Sequence, residues 1–260
     1  MLQAPEEPEL LYEYRDSDEP APDARPLAQG DVLRLVLGSG GQVLPLAMIV
    51  AHPCSMRQGG KLRKRLVVAE VTAHQNVPPA KWPTGYFDVF PLPSLDGGPP
   101  VGVFFHHLQT VETMQIETCA RAAVLTEYGQ GVLLQRWIHH MARLVVDPQE
   151  LSELIGPVQD ELSMQMDWVE AGLDAAAATA TAGVTAGTGL QAPSGETAAA
   201  PSTRTNMLRG LASEFQDFLG SPADEASLRR RLGRGEMERV YVRKAVQAEI
   251  KRRYMRPLEP

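Results

Sequence analysis

The chain has 260 residues, a net charge of −7, 43% apolar residues and 6% aromatics, which allows one medium domain with appendages or two small domains. No run approaches the roughly 20 apolar residues of a membrane-spanning helix. The acidic start, "MLQAPEEPELLYEYRDSDEP", lacks the basic and apolar stretches of a signal peptide, so the expectation is a soluble, cytoplasmic protein with no membrane contact.

Charge is unevenly spread. Residues 1–25 carry 8 acids and 2 bases, whereas residues 204–260 carry 8 acids and 13 bases. Such a polarity suits either mutual attraction or different partners. Residues 1–26 combine Pro, Glu and Asp with few apolar anchors and read as an acidic disordered tail. Leu10, Leu11, Tyr12 and Tyr14 form one island able to dock.

Residues 27–113 change to short β runs. "DVLRLVL" alternates, "GSGG" supplies a hairpin tip, and "QVLPLAMIV" is nearly continuous apolar. Pro45 cannot donate a ladder hydrogen bond, which implies an edge or a bulge there. "RLVVAEV" (65–71), "GYFDVFPL" (85–92) and "VGVFFHHL" (101–108) supply further strands. Short strands joined by loops predict a small antiparallel barrel.

Helix is predicted from residue 114. "IETCARAAVLT" has a weak helical period, and "GQGVLLQRWIHHMARLVV" a strong one. "DPQE" reads as a helix start capped by Asp147, and the helix is expected to run to about residue 170, bent at Gly156-Pro157. Residues 171–204, rich in Ala, Thr, Gly and Pro, read as a flexible linker. Residues 205–260 read as a basic helical module, with a short helix capped by Ser221 and a longer one stopped by Pro257. The expected fold class is α+β: barrel, helical extension packed on it, linker and C-terminal helical module.

Four anchors in the β region resemble the PemK/MazF-type toxins, small SH3-like barrels that usually cleave RNA. Gly30-Asp31-Val32 is similar to the family's opening Gly-Asp-Val. "LPLAMIV" (44–50) resembles its second strand, "VVAEVTA" (67–73) its third, and "HLQTVET" (107–113) its Gln-x-x-Thr-Val-Asp segment. The resemblance covers about residues 27–115 and implies the barrel and a bacterial source. It also implies a catalytic Arg at the position of Leu44 and a catalytic Thr at Thr72. Leucine cannot stabilise charge building on a phosphate. Glu70, where the family usually has Pro, would repel a phosphate backbone. The resemblance therefore points to the barrel without the chemistry: a non-catalytic binding or adaptor protein, possible accessory of a toxin–antitoxin or phage-defence system. An RNA-cleaving relative using Thr72 with a cation of the 57–65 loop in place of the missing Arg, and a DNA-binding regulator using the C-terminal helices, are the alternatives.

Among candidate sites, "SMRQGGKLRKR" carries Arg57, Lys61, Arg63, Lys64 and Arg65 on a Gly-bearing loop. Clustered cations attract a nucleic-acid backbone, RNA in particular, or an acidic partner segment; a solvated loop would read the same. In the basic tail, Val240, Val242, Val246, Ile250 and Tyr254 suggest an apolar stripe. Arg239, Arg243, Lys244, Lys251, Arg252 and Arg253 flank it, so the leading reading is a protein-docking helix. The alternative is a helix packed on its own chain. Trp82, Tyr86, Phe87, Phe90, Phe104 and Phe105 form either a base-stacking platform or, by alternation, mostly core. His52-Pro53-Cys54 has a thiol near an imidazole but reads better as a strand end. The pairs His106-His107 and His139-His140 lack metal-ligand spacing, and no metal or cofactor is expected.

Overall fold

The computed structural model describes residues 2–15, 20–38, 40–58, 61–95, 97–143, 145–146, 148–185, 201–221 and 223–255. It divides into two compact units, Met1–Asp23 with Leu27–Gln159, and Ala24–Pro26 with Asp160–Pro260.

The first unit is α+β. Its strands are β1 (Tyr12–Arg15), β2 (Val32–Leu37), β3 (Val43–Ile49), the short pair β4 (Arg57–Gln58) and β5 (Lys61–Leu62), β6 (Arg65–Ala73), β7 (Val89–Leu92), β8 (Val101–Glu112) and β9 (Arg121–Leu125). All but β4 and β5 form one antiparallel sheet in the order β1-β9-β2-β3-β6-β8-β7. The order is open, with β1 and β7 at its two ends, so the described strands do not make the expected closed barrel.

Alternation along the strands feeds two cores, one on each face. Met48, Ala69, Phe90, Val103 and Phe105 belong to one, and Leu33, Leu44, Ile49, Val68 and Val111 to the other. The long helix α3 (Glu127–Ala142) covers the first through Val132, Leu133 and the half-buried Trp137. The short turns α1 (Pro53–Met56) and α2 (Thr113–Ile116) close the second through Met56 and Ile116. A buried side chain of this size contributes about 1.5–3 kcal/mol, so a sheet covered on both sides is well anchored.

Three expectations are corrected here. The acidic start is not simply a tail: Leu11 is buried, Tyr12 donates to the Pro93 carbonyl at 2.8 Å, and β1 pairs with β9. The apolar island outweighs the ordering cost, which composition alone did not show. The weak helical period of "IETCARAAVLT" hides β9, because a strand seated between β1 and β2 is buried on both faces and loses its alternation. The helical extension therefore begins with only the short α2 before β9 and α3. Pro45 lies in an interior strand, outside the Ala47–Ile49 stretch over which β3 pairs with β6, so its missing amide costs that ladder no bond.

Helix α4 (Pro148–Thr185) gives residues up to Gln159 to the first unit and the rest to the second. The proposed linker is thus helical as far as Thr185, where alanine-rich sequence favours helix, and helix α5 (Pro201–Leu219) has already begun by 201. Residues 186–200, Asp147 and Pro257 lie outside the described set. In the second unit, α5, α6 (Leu228–Leu232) and α7 (Glu236–Tyr254) join the C-terminal part of α4. Their core is Met164, Trp168, Phe215, Leu219, Leu232, Val242, Val246 and Ile250. Ser227, not Ser221, caps α6, accepting from the Arg230 amide at 3.2 Å.

Candidate functional site

The cationic loop becomes a ridge. β4 and β5, two residues each, pair antiparallel, and the chain then enters β6. The ridge is pinned from below by Thr113. Its hydroxyl donates to the Arg63 carbonyl, and its amide donates to the Lys64 carbonyl at 2.9 Å. The Arg63 amide donates to the Met56 carbonyl at 2.8 Å. Side chains on such a backbone are presented from a fixed base rather than from a drifting loop.

The five cations divide into two groups. Arg57 reaches inward and donates to the Leu27 carbonyl at 2.8 Å, and Arg65 pairs with Glu112 at 2.6 Å. Lys61, Arg63 and Lys64 are exposed and have no acidic partner among the described residues. Gln58, Leu62, Arg65 and Glu112 join these three around an open hollow of about 690 Å³. Three free cations around one concavity attract an anion without a desolvation penalty to match.

Thr72 does not join this ridge. It pairs with Gly102 at one end of the β6–β8 ladder, while Arg65 pairs with Glu112 at the other. Seven residues of strand separate Thr72 from Arg65, about 23 Å at roughly 3.3 Å per residue. Leu44 is buried in the second core, paired across β2 with Val36. The two positions the resemblance marks as catalytic are a core side chain and a threonine remote from the cations.

The basic helix is largely consumed by its own unit. Val242, Val246 and Ile250 enter its core. Arg239 lies 3.5 Å from Asp160, Arg243 also pairs with Asp160, and Arg252 and Arg253 bond to Glu249. The Arg253 guanidinium also stands 5.0 Å from the Trp168 ring centre. The two Arg bonds pull the Glu249 carboxyl down to about 2. Lys244 and Lys251 alone of the six named cations are exposed without such a pair among the described residues. Of the apolar stripe expected to dock a partner, Val242, Val246, Ile250 and Tyr254 are packed on this chain, and Val240 is exposed.

Histidines gather where sequence spacing gave no hint. β8 runs from Val103 to Leu108 while β6 moves only from Val71 to Ala69, so residues 104–107 bulge out of the ladder. His107 stacks on Phe104 with ring centres 5.6 Å apart, and His74 meets Phe104 edge-on. On β8 and the end of α3, His106 and His140 lie 4.7 Å apart. Burial, with the neighbouring His106, lowers the His140 pKa, while the Phe87 backbone and Asp88 oppose that shift. Among the described residues no three His, Cys, Asp or Glu are grouped to hold a metal ion. Only the register of the bulge brings these rings together, so no local motif could have signalled it. Of the aromatic platform, Trp82, Phe90 and Phe105 are core. The Cys54 side chain lies outside the described set, and burial lowers the His52 pKa.

No helix among the described residues is long and apolar enough to cross a membrane. In comparisons with known proteins, no family model and no curated protein matches the chain.

Proposed function

We propose that this is a non-catalytic binding protein whose sheet unit holds an acidic segment of a protein partner on the ridge at Lys61, Arg63 and Lys64. The observation that carries the reading is the set of three exposed, unpaired cations around one hollow, on a backbone tied down by Thr113. Arg65 and Glu112 also bound the hollow as an exposed ion pair 2.6 Å long, which leaves Lys61, Arg63 and Lys64 as the unpaired charges around it. Catalysis is disfavoured because Leu44 is core and Thr72 is about 23 Å from Arg65 at roughly 3.3 Å per strand residue.

On this reading the sheet is an opened SH3-like barrel of the PemK/MazF kind that has kept its curl. In support, a Cβ on Gly38, at the β2–β3 tip, would collide with the Gln109 side chain of β8, although β3 and β6 stand between β2 and β8 in the sheet. Leu35 has φ of +55°, a left-handed residue in mid-strand that lets β2 turn towards that contact.

The test is fluorescence anisotropy with a labelled Glu/Asp-rich peptide and, separately, single-stranded RNA, using the full chain. Peptide binding that weakens at least about tenfold in Lys61→Ala/Arg63→Ala/Lys64→Ala supports the proposal. Tighter RNA binding lost in the same variant would make the ridge an RNA site. RNA cleavage abolished by Thr72→Ala would restore the ribonuclease reading.

A further inference from the structure

Helix α7 has a second face. Its core side is Val242, Val246 and Ile250. On the opposite side, at 100° per residue, fall Met237, Val240, Tyr241, Lys244, Ala248 and Lys251, with Met255 just beyond the helix end. Every one of them is exposed, Met237 to 84% and Met255 to 61%. A solvent-facing stripe on an ordinary surface helix is polar. From Met237 to Met255 this one places two methionines, a valine and a tyrosine over about 27 Å, taking 1.5 Å per residue.

We infer that this outer face of α7 docks an amphipathic helix of another protein, one carrying acidic residues along its apolar seam. Charge decides the occupant. Lys244 and Lys251 lie one heptad apart near the centre line of the stripe, without an acidic partner among the described residues. Carboxylates at the same spacing on a facing helix would meet both, while Met237, Val240 and Tyr241 supply the apolar contact. Methionine suits such a surface because its flexible thioether adapts to a partner. The Arg231 guanidinium, 3.7 Å from the Tyr241 ring centre, fixes that ring at one margin.

Two other occupants fit less well. A second copy of this face would set lysine against lysine, which costs affinity. The chain's own residues 186–200 hold a single acid, Glu196, and cannot supply an acidic helix. The inference uses a surface of the second unit and does not depend on the ridge of the first.

The probe is a synthetic amphipathic helix of about three heptads, with Leu in the seam and Glu flanking it, compared with the same peptide carrying Lys for Glu. Anisotropy titration against the full chain is expected to show binding of the Glu peptide only. In Lys244→Glu/Lys251→Glu the preference should reverse, with at least about a tenfold loss for the Glu peptide. These side chains lie outside the core, so the thermal melt should be unchanged, and the reversal shows that the variant remains folded. Equal binding of both peptides, no binding of either, or an unchanged preference in the variant would overturn the inference. So would self-association abolished by Met237→Glu, or stronger capture by phosphatidylserine vesicles than by the Glu peptide.

Discussion

The Arg136 guanidinium donates to the Trp82 carbonyl at 2.9 Å and stands 5.3 Å from the centre of the same residue's ring. It also donates to the carbonyls of Gly85, Tyr86 and Val89, so a fully buried side chain of α3 organises the loop that leads into β7. Burial pulls its pKa down to about 10 against the opposing charge of Asp88, which leaves it charged at neutral pH. Arg136→Met should cost about 3 kcal/mol, because several carbonyls lose their donor at once. Urea unfolding followed by tryptophan fluorescence measures it; a loss below about 1 kcal/mol would mean that water replaces the guanidinium.

The Gly-Asp of the opening motif is explained by packing. Gly30 has φ of +89°, and a Cβ there would sit 2.8 Å from a Leu125 methyl group. Asp31 is fully buried, accepts from the Ala28 amide at 3.1 Å and lies 3.3 Å from Arg121 of β9. Asp31→Ala leaves the Arg121 charge under-compensated in a largely buried place, and about 3 kcal/mol of stability should be lost. A denaturant midpoint equal to that of the parent would show that the pair is dispensable.

This explains what the sequence could and could not reveal. β2, β3, β6 and part of β8 were legible because apolar alternation and Gly or Pro punctuation are local signals. β1 and β9 were not, since each is defined by its neighbour: "YEYR" becomes a strand only because "RAAVL" lies beside it. The cations of residues 57–65 were legible as a cluster. Which of them is free was not, because that depends on Leu27 and Glu112, far along the chain. The stripe on α7 was legible too, but its period fits two faces, and only the burial of Val242, Val246 and Ile250 in one core with Trp168 and Phe215 tells which one is core.

Acid should loosen the first unit through its histidines. Burial lowers the pKa of both His52 and His140, so the unfolded chain takes up protons that the folded chain refuses. Stability therefore falls as pH drops below the unfolded imidazole value of about 6.5 and continues to fall until each folded pKa is passed. The melting temperature should drop between about pH 7.5 and about pH 5.5, and by less in His140→Gln, which removes one of the two groups. An identical drop in parent and variant would assign the acid sensitivity to other residues.

Thr113 joins stability to the ridge. Its hydroxyl supplies the one side-chain bond to the Arg63 carbonyl among the described residues, and its amide holds Lys64. Thr113→Val keeps the shape and removes the hydroxyl, at a cost of about 1 kcal/mol. The loss should be local, because the amide bond to Lys64 and the Arg65–Glu112 pair remain. The Arg63 amide, bonded to Met56, should then exchange its hydrogen faster while those of β3 and β6 keep their protection. Acidic-peptide binding should weaken as well, since Lys61, Arg63 and Lys64 would no longer share a fixed base. Faster exchange without weaker binding would show that the cations act as independent charges and that the anchored backbone contributes only to folding.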